Sequence, residues 1–323
     1  MTKERILVIG GAGYIGSHVV RALLAENYAV MVYDNLSTGQ SCNLFSQAEF
    51  VQGDILDSEH LEKVMSQKFS AVVHLAAKKA VGESMENPQL YSQNNISGSI
   101  NIFNAMLNSG VKNVVFSSTS AVYGIPQYLP LDENHPLNPL SFYGYTKMAI
   151  EQVMEWYSRI KDFHYVALRY FNAVGYAADG SIRGKEKKPQ NLLPLIMEVA
   201  KGEREKLYVF GNDYNTPDGT CIRDYIHVED LARAHVLAIE KLLKDGDSQV
   251  INLGTEKGTS VLDIIKSVER VSGKKINYDF APRRAGDPEN VVATSAKAAK
   301  VLGWQAQYKN IDEIVRTVWN LEK

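Results

Sequence analysis

The first half of the chain alternates short apolar runs with longer amphipathic stretches. The apolar runs are almost continuous and lack the polar–apolar alternation of half-exposed strands, which favours parallel strands covered on both faces. Predicted strands cover residues 6–9, 29–33, 50–52, 71–75, 114–117 and 165–169, and predicted helices cover residues 15–26, 58–67, 88–108 and 143–160. This repetition predicts an α/β fold with a doubly wound parallel sheet of the Rossmann type.

The pattern changes after Asn172, where loops become richer in glycine, proline and aspartate and the helices become shorter. Dipeptides typical of turns include Asp179-Gly180 and Lys188-Pro189. Predicted helices cover residues 192–201, 229–244, 260–272 and 311–321. We therefore expect two domains, with residues 1–172 forming the parallel sheet and residues 173–323 forming a smaller α/β domain at its strand ends.

Composition narrows the range of partners. The 323 residues carry a net charge of −2 at pH 7 with both signs interspersed, so no basic stripe is present to bind nucleic acid or an anionic membrane. No apolar run approaches the roughly 20 residues that a membrane span requires. Cys42 and Cys221 are too few for a disulfide framework, which favours a cytoplasmic location, and the histidines show no metal-ligand spacing.

A glycine motif, Gly10-Gly-Ala-Gly13-Tyr-Ile-Gly16, lies between the first predicted strand and the first predicted helix. Glycines at this position permit a tight turn and a close approach of the backbone to a pyrophosphate at the helix N-terminus. Asp34 ends the second strand, where a carboxylate can accept hydrogen bonds from ribose hydroxyls and repels a 2′-phosphate. A glycine triplet alone is a weak signal, but this context predicts a dinucleotide site that prefers NAD to NADP.

A tyrosine and a lysine four residues apart, Tyr143 and Lys147, share one face of a predicted helix. The nearby ammonium is expected to lower the pKa of the phenol, which would suit Tyr143 to act as a base. The spacing alone proves little, because Tyr157 and Lys161 repeat it. Position favours Tyr143, which follows a proline-rich loop at the start of the helix, whereas Tyr157 lies about 21 Å further along.

Hydroxyl side chains follow the fifth predicted strand, in the run Phe116-Ser-Ser-Thr119. In an open parallel sheet, ligands bind beyond the carboxyl ends of the strands. A Ser/Thr-rich turn is the simpler interpretation of this run by itself. Together with Tyr143 and Lys147 it predicts a catalytic site at this edge of the sheet.

These motifs resemble the extended short-chain dehydrogenase/reductase family, which combines a glycine-rich opening with a Ser/Thr–Tyr–Lys site. The resemblance extends over nearly the whole chain, and it is strongest to the nucleotide-sugar 4-epimerases of that family. It implies NAD as cofactor, UDP-sugars as substrates, and interconversion of UDP-glucose and UDP-galactose through a 4-keto intermediate. The blocks that carry it include Ala80-Val-Gly-Glu-Ser84, Leu168-Arg-Tyr-Phe-Asn172, Phe210-Gly-Asn-Asp-Tyr214, Arg223-Asp-Tyr-Ile-His227 and Arg283-Arg-Ala-Gly-Asp287.

The resemblance also assigns residues to sites. It implies that Thr119, Tyr143 and Lys147 are catalytic. The residues implied to contact the cofactor are Gly10, Gly13, Tyr14, Ile15, Gly16, Asp34, Asn35, Leu36, Ser37, Asp54, Ile55, Leu75, Ala76, Ala77, Lys79, Asn94, Tyr143, Lys147 and Phe171. The residues implied to contact the substrate are Thr119, Asn172, Asn191, Leu192, Tyr208, Phe210, Arg223, Arg284, Asp287 and Val291.

A homodimer is a further implication of the resemblance, because these epimerases pair through the helices that correspond to residues 88–108 and 143–160. Both helices carry more apolar residues than one sheet face obviously covers, which suits them to a subunit contact. The apolar residues that we expect at such a contact include Ile96, Ile100, Phe103, Ile150 and Val153.

Substrate breadth is implied by Val291, which stands four positions after the aspartate of the Arg-Arg-x-Gly-Asp block. In the epimerases this position walls the hexose pocket, and a tyrosine there restricts the enzyme to plain hexoses. A smaller valine leaves room for a 2-acetamido group. We therefore expect UDP-GlcNAc and UDP-GalNAc to be accepted as well.

Three alternative functions are compatible with a dinucleotide-binding fold of this kind. A sugar-nucleotide 4,6-dehydratase of the same family needs Asp-Glu directly after the catalytic threonine, where this chain has Ser120-Ala121. A UDP-uronate epimerase or decarboxylase is not excluded by the residues themselves. A catalytically silent NAD-binding sensor has no need of an intact Thr119–Tyr143–Lys147 set.

Overall fold

A computed structural model describes residues 4–185, 191–284 and 286–322 of the chain. The strands are β1 Arg5–Ile9, β2 Ala29–Asp34, β3 Glu49–Gln52, β4 Ala71–His74, β5 Asn113–Ser117, β6 His164–Tyr170, β7 Asn172–Val174, β8 Leu207–Phe210, β9 Ile222–His227, β10 Gln249–Leu253, β11 Gly258–Ser260, β12 Tyr278–Ala281 and β13 Asn290–Val291. The helices are α1 Tyr14–Ala25, α2 Ser58–Met65, α3 Val81–Glu86, α4 Pro88–Tyr91, α5 Gly98–Ser109, α6 Phe142–Ile160, α7 Leu192–Lys201, α8 Val228–Asp245, α9 Val261–Ser272, α10 Ala296–Leu302 and α11 Ile311–Glu322.

The main sheet is parallel and has the predicted doubly wound topology. Within the described residues it runs in the order β10-β6-β5-β4-β1-β2-β3. The order reverses next to β1, because the chain fills one side of the sheet first and then crosses to the other. The six strands predicted for residues 1–172 all form within one residue of the predicted bounds. The fold class predicted from the hydrophobic pattern is therefore confirmed.

Burial on both faces explains why the strand sequences are continuously apolar. In β1, Ile6 and Val8 pack with α1 and α8 in one core, whereas Leu7 and Ile9 pack with α2, α5 and α6 in a second core on the opposite face. All four side chains are fully buried. Each apolar residue of such a strand therefore packs in one of two cores, and the strand sequence becomes a continuous apolar run.

Residues beyond 172 form smaller sheets with a core of their own. Strand β9 pairs with β7, β11 and β13, and β8 pairs with β12. Helices α7, α9 and α11 bury their apolar faces together against these strands. The proposed division at residue 172 is nevertheless crossed by the chain, because β10 returns to pair with β6 and α8 packs against α1.

Several predicted elements differ in detail from the structure. The single helix predicted over residues 88–108 is divided by a π-helical turn, Ser92–Ser97, between α4 and α5. Asn95 in this turn is buried and exchanges hydrogen bonds with the backbone N–H and C=O of Lys78, at 2.8 and 2.9 Å, which the wider turn makes possible. Helices α3 and α10 were not predicted. Lys188-Pro189 lie outside the described residues.

Two of the residues expected at a subunit contact are core residues instead. Phe103 is fully buried and Ile150 is 2% exposed, and both pack beneath the main sheet. They lie on the inward faces of α5 and α6, because each helix must bury one stripe against the strands. The outward face of α6 carries other apolar residues, Tyr145, Trp156 and Ile160.

Candidate active site

A groove of about 1020 Å³ lies along the carboxyl ends of the main-sheet strands. Strands β1, β2, β4, β5 and β6 all end on it, so the loops that follow them supply its walls. The residues assigned to the cofactor from sequence that line it are Gly10, Gly13, Tyr14, Ile15, Gly16, Asp34, Asn35, Ser37, Ile55, Leu75, Ala76, Ala77, Lys79, Asn94, Tyr143 and Lys147. A groove that passes the ends of five strands suits an extended dinucleotide.

The glycine loop is shaped by positions where no side chain fits. Gly10 has φ +86°, and a Cβ there would lie 2.7 Å from the backbone nitrogen of Ala76. A Cβ on Gly16 would approach the carbonyl oxygen of Gly10 to well under 3.0 Å. Helix α1 begins after Gly13, which has no side chain to cap the first N–H groups. These N–H groups and the positive end of the helix dipole face the groove and fit a pyrophosphate.

Asp34 is placed to receive a ribose at the end of β2. It is 8% exposed and accepts hydrogen bonds from the backbone nitrogens of Ala12 at 3.0 Å and Leu36 at 2.8 Å. Burial raises the pKa of this carboxyl group, and the two N–H donors oppose the rise. A carboxylate that already accepts two backbone bonds still has lone pairs for hydroxyl donors in the groove.

Three of the residues assigned to the cofactor do not line the groove. Leu36 contributes its backbone N–H to Asp34, and Asp54 accepts a hydrogen bond from the Asn35 side chain at 2.8 Å. Phe171 is 8% exposed and packs its ring in a separate cluster with Tyr123.

The proposed catalytic tyrosine stands at the first turn of α6. Ser141 caps the helix by accepting a hydrogen bond from the backbone nitrogen of Gly144 at 3.1 Å. Thr119 follows β5, and its hydroxyl oxygen accepts a hydrogen bond from the backbone nitrogen of Ala121 at 3.2 Å. The Thr119 and Tyr143 hydroxyls are hydrogen-bonded to each other. The structure therefore brings together the two hydroxyl groups that the sequence placed 24 residues apart.

Lys147 is buried below Tyr143, with its ammonium turned toward β5. Its Nζ donates to the carbonyl oxygen of Ser117 at 2.7 Å and lies 4.6 Å from the centre of the Phe116 ring. Burial lowers the pKa of Lys147 to about 7, and the Glu151 carboxylate opposes that change. An ammonium near its titration point at neutral pH is unusual and is typical of functional sites.

The expected lowering of the Tyr143 pKa by Lys147 is not found. Burial raises the pKa of Tyr143 to about 12, and only the hydrogen bond from Thr119 opposes it. The reason is geometric, because the Lys147 ammonium donates to a backbone carbonyl and not to the phenol oxygen. Further positive charge at this end of the groove is needed to make Tyr143 a base.

Sequence reasoning missed other residues that line the groove. Ser117 and Tyr170 end β5 and β6, and their hydroxyls are hydrogen-bonded to each other beside Lys147. Tyr170 belongs to the block Leu168-Arg-Tyr-Phe-Asn172. Because successive side chains of a strand point to opposite faces, this block could have assigned Tyr170 to the groove in place of Phe171. The remaining unassigned lining residues are Ile9, Tyr33, Thr38, Gly53 and Lys78.

Most of the residues assigned to the substrate lie beyond residue 172, on β8, β9, β13, α7 and the loops beside them. Arg223 on β9 forms an ion pair with Asp287 at 2.5 Å, and the Arg284 guanidinium lies 4.0 Å from the centre of the Phe210 ring. Tyr208 is 51% exposed on the same face of β8 as Phe210.

The other substrate assignments differ in burial. Asn172 is exposed at the start of β7, and Asn191 is exposed immediately before α7, which Leu192 begins. Val291 is half-buried and packs against the same cluster as Phe171. Asn191 also borders a cavity of about 830 Å³, and Tyr14 lines both this cavity and the cofactor groove.

The described part of the chain contains neither a metal cluster nor a helix suited to cross a membrane. Within residues 4–185, 191–284 and 286–322, no cluster of three or more histidine, cysteine or acidic side chains could hold a metal ion. None of the helices described above has the length and apolar character to cross a membrane.

Comparison with known proteins gives consistent matches along the chain. The sequence profile of the NAD-dependent epimerase/dehydratase family matches residues 6–254. The UDP-glucose 4-epimerase of Lactobacillus helveticus is 46% identical, over 99% of this chain and 97% of that protein. A crystal structure of UDP-glucose 4-epimerase from Brucella ovis in complex with NAD aligns with a TM-score of 0.95 and 45% identity, over 97% of each chain.

A third match carries information on substrates. The UDP-Glc/GlcNAc 4-epimerase of Campylobacter jejuni aligns with a TM-score of 0.87 and 37% identity, over 99% of both chains. These proteins match this chain from end to end, so the likeness includes both the main sheet and the smaller unit.

Proposed function

The chain belongs to the NAD-dependent epimerase/dehydratase family, and from this premise we infer that it interconverts UDP-glucose and UDP-galactose. The observation that carries the inference is 46% identity to a UDP-glucose 4-epimerase over 99% of the chain. The local geometry is consistent with it, because a hydroxyl pair and a buried ammonium stand at one end of a groove suited to a dinucleotide. The 4,6-dehydratase alternative lacks its acid–base pair, since Ser120-Ala121 follow Thr119.

The residues of the groove fit NAD. The uncapped N-terminus of α1 offers N–H groups to a pyrophosphate, and Asp34 offers a carboxylate to ribose hydroxyls. When bound, NAD supplies a hydride acceptor and a positively charged ring at the end of the groove that holds Tyr143. We propose that Lys147 binds the hydroxyls of the neighbouring ribose.

Proton transfer is assigned to Tyr143. In this proposal its oxygen takes the proton of the sugar 4-hydroxyl while hydride leaves C4, and it returns the proton when the 4-keto sugar is reduced. Thr119 donates to the same sugar oxygen and is held in place by the Ala121 N–H. The positively charged ring of bound NAD would favour the phenolate form of Tyr143, against the burial that raises the pKa of this tyrosine to about 12.

Inversion at C4 requires the sugar to present its other face while the nucleotide stays in place. We propose that Arg223 and Arg284 hold the diphosphate and that Asp287 accepts hydrogen bonds from the uridine ribose. Arg223 already pairs with Asp287, so both are fixed before the substrate arrives. Tyr208 and Phe210 are assigned to the two sides of the uracil ring. Such anchoring at one end leaves the hexose free to turn.

The direct test is an assay on purified protein. The protein is denatured, and the released cofactor is identified by mass spectrometry. The native protein is then given UDP-galactose without added NAD, and UDP-glucose is measured by chromatography. We expect NAD to be released and UDP-glucose to form. Release of NAD without formation of UDP-glucose would contradict the proposed activity. The same assay with UDP-glucuronate as substrate tests the uronate alternative.

Substrate breadth is predicted from Val291, which packs beside the turn that carries Thr119. We expect UDP-GalNAc and UDP-GlcNAc to be accepted, because valine leaves room where a tyrosine ring would exclude the acetamido group. Val291→Tyr should lower kcat/KM for UDP-GalNAc by at least about tenfold and leave that for UDP-galactose nearly unchanged. The measurement is kcat/KM for both substrates in both proteins.

The matched control for this substitution is Val291→Ala, which also changes the packing but does not narrow the pocket. It should lower neither activity selectively. Discrimination by the wild-type protein against UDP-GalNAc of more than about 10³-fold would mean that another residue closes the pocket, and the argument from Val291 would fail.

A homodimer is proposed from the outward face of α6. Tyr145, Trp156 and Ile160 are 46%, 60% and 64% exposed, and they follow one another along one side of the helix. Single exposed apolar residues are ordinary on a protein surface, but a row of large ones on one helix is typical of a contact surface. We expect light scattering at micromolar concentration to give the mass of two chains, about twice 36.0 kDa.

A charge at the centre of this face should separate the subunits. Trp156→Glu is expected to give a monomer, because it places a carboxylate in a desolvated contact. The control is Ile125→Glu, which changes an equally exposed residue, 60%, on the loop after β5. A dimer that survives Trp156→Glu would place the contact elsewhere, and a wild-type monomer would refute the proposal.

The cellular location also remains a proposal. Cys42 is exposed and Cys221 is buried, and both are free thiols. A free exposed thiol is stable in a reducing compartment, so we propose that the protein works in the cytoplasm.

A further inference from the structure

The groups that contact the Lys147 ammonium, a backbone carbonyl and an aromatic ring, carry no negative charge. It donates to the Ser117 carbonyl at 2.7 Å and lies over the Phe116 ring, and the side chain is 2% exposed. A carbonyl dipole and a ring face stabilise a cation less than a carboxylate does, and burial opposes the charged form. The charge must therefore be supported from further away.

Glu151 lies one helical turn beyond Lys147 on the same face of α6. Its carboxylate accepts two hydrogen bonds from Arg169 Nε, at 3.0 and 3.2 Å, and one from a terminal nitrogen at 2.5 Å. The Ser118 hydroxyl donates to the same carboxylate. The side chains of Arg169 and Glu151 are only 5% and 6% exposed, so this ion pair is held away from solvent screening.

Two consecutive residues at the end of β5 bind the Lys147 ammonium and the Glu151 carboxylate of α6. Ser117 receives Lys147 through its carbonyl, and Ser118 binds Glu151 through its hydroxyl. Arg169 continues the network to the Tyr123 hydroxyl at 3.0 Å, and Tyr123 donates to Asn252 on β10 at 2.6 Å. Hydrogen bonds therefore connect the ion pair to the end of β5, to β6 and, through Tyr123, to β10.

Other titratable groups around Lys147 are neutral. Burial lowers the pKa of His74, on β4, to about 3, and the nearby Lys147 charge adds to the effect. Burial raises the pKa values of Tyr143 and of Tyr170, on β6, so both remain phenols at neutral pH. Among the described residues, Glu151 is the carboxylate whose charge acts on Lys147.

We propose that the Glu151–Arg169 ion pair is a positioning device for Lys147. The Glu151 carboxylate keeps the lysine ammonium charged and seated on the Ser117 carbonyl, and Arg169 sets how much negative charge that carboxylate presents. Glu151 touches neither substrate nor cofactor in this assignment, so it acts only through Lys147. The consequence for catalysis rests on the proposed function, but the electrostatic claim does not.

The proposal predicts opposite effects from the two halves of the pair. Glu151→Gln removes the carboxylate and leaves the Arg169 cation, so the pKa of Lys147 should fall below its present value of about 7. Arg169→Gln removes the cation and leaves the carboxylate facing Lys147, so the pKa of Lys147 should rise. General structural damage from a broken ion pair would instead change the pKa of Lys147 in the same direction in both variants.

The measurement is an NMR titration of the purified protein labelled with ¹³C at the lysine ε-carbons. The Lys147 signal is identified by its loss in Lys147→Met. We expect a shift of about one pH unit down in Glu151→Gln and up in Arg169→Gln. Glu155→Gln is the matched control, because Glu155 pairs with Arg159 on the exposed side of α6, and it should not move the signal.

Shifts in the same direction, or no shift in either variant, would overturn the proposal. If Glu151→Gln does not fold, the double variant Glu151→Gln with Arg169→Gln avoids leaving Arg169 as an unpaired buried cation. Its Lys147 pKa should then lie below that of the wild type, and an equal or higher value would overturn the proposal.

Activity against pH separates this proposal from the proposed function. If the enzyme epimerises UDP-galactose, the basic limb of kcat should move to lower pH in Glu151→Gln, because loss of the Lys147 proton ends catalysis. A protein without epimerase activity whose Lys147 signal shifts as expected would refute the function and leave the ion-pair role intact. An active enzyme whose Lys147 signal does not shift would support the function and refute the ion-pair role.

Discussion

Replacement of Tyr143 by phenylalanine is expected to lower kcat for UDP-galactose by about 10²–10⁴-fold, with NAD still bound. The substitution removes the oxygen that accepts the sugar proton and keeps the ring that fills the first turn of α6. Thr119 then keeps its N–H contact from Ala121 but loses its phenol partner. The measurement is kcat together with the NAD content of the denatured protein.

Tyr157→Phe is the matched control on the same helix. Its hydroxyl donates to the Asn104 side chain at 3.0 Å near the surface, and its ring packs against Phe103 and Phe163. The chemical change is identical, but the residue stands far from the groove, so turnover should be close to that of the wild type. Near-normal turnover by Tyr143→Phe would remove this residue from its assigned role.

Gly16→Ala is expected to lower kcat/KM by about 10²-fold and to release most of the bound NAD. Its new Cβ would lie closer than 3.0 Å to the carbonyl oxygen of Gly10 and to the backbone of Gly11. Backbone atoms cannot turn away as a flexible side chain can, so α1 must shift from the loop that cradles the pyrophosphate. A displacement of about 1 Å at such a site has an effect of this size. Cofactor content and steady-state kinetics measure it.

The control glycine is Gly82, in the short helix α3. A Cβ added there meets nothing within 4 Å, and the backbone has an ordinary helical conformation. Gly82→Ala should therefore keep NAD and activity, and alanine favours the helix over glycine. Equal loss of cofactor in both variants would mean that the effect of Gly16→Ala is not specific to the loop.

The main sheet could be predicted because each of its strands is marked by a short stretch of its own sequence. A buried parallel strand requires a run of apolar residues, and each such run in residues 1–172 became a strand with bounds within one residue. Strands β7, β11 and β13 of the smaller unit were missed because they contain only two or three residues each and pair with β9 from distant points in the chain. Such short strands are defined by their partners and leave no periodicity in the sequence.

The candidate site was predictable in its members and less so in its electrostatics. Motif position pointed to Thr119, Tyr143 and Lys147. In the structure Tyr143 and Lys147 line the groove, and Thr119 interacts with Tyr143. The direction of the Lys147 ammonium was not predictable, because it depends on where the carbonyl of Ser117 lies in three dimensions. Burial, which dominates the Tyr143 pKa, is likewise a property of the whole fold.

Strand β10 has a consequence for how the protein is made. It covers the outer edge of β6, which carries Arg169 and Tyr170, and it comes from residues 249–253. During synthesis the first 172 residues therefore emerge with an open strand edge, a surface prone to pairing with other chains. That edge is closed only after residues 249–253 have left the ribosome. The part of the groove next to β6 should thus form late, and fragments that stop before residue 249 should aggregate.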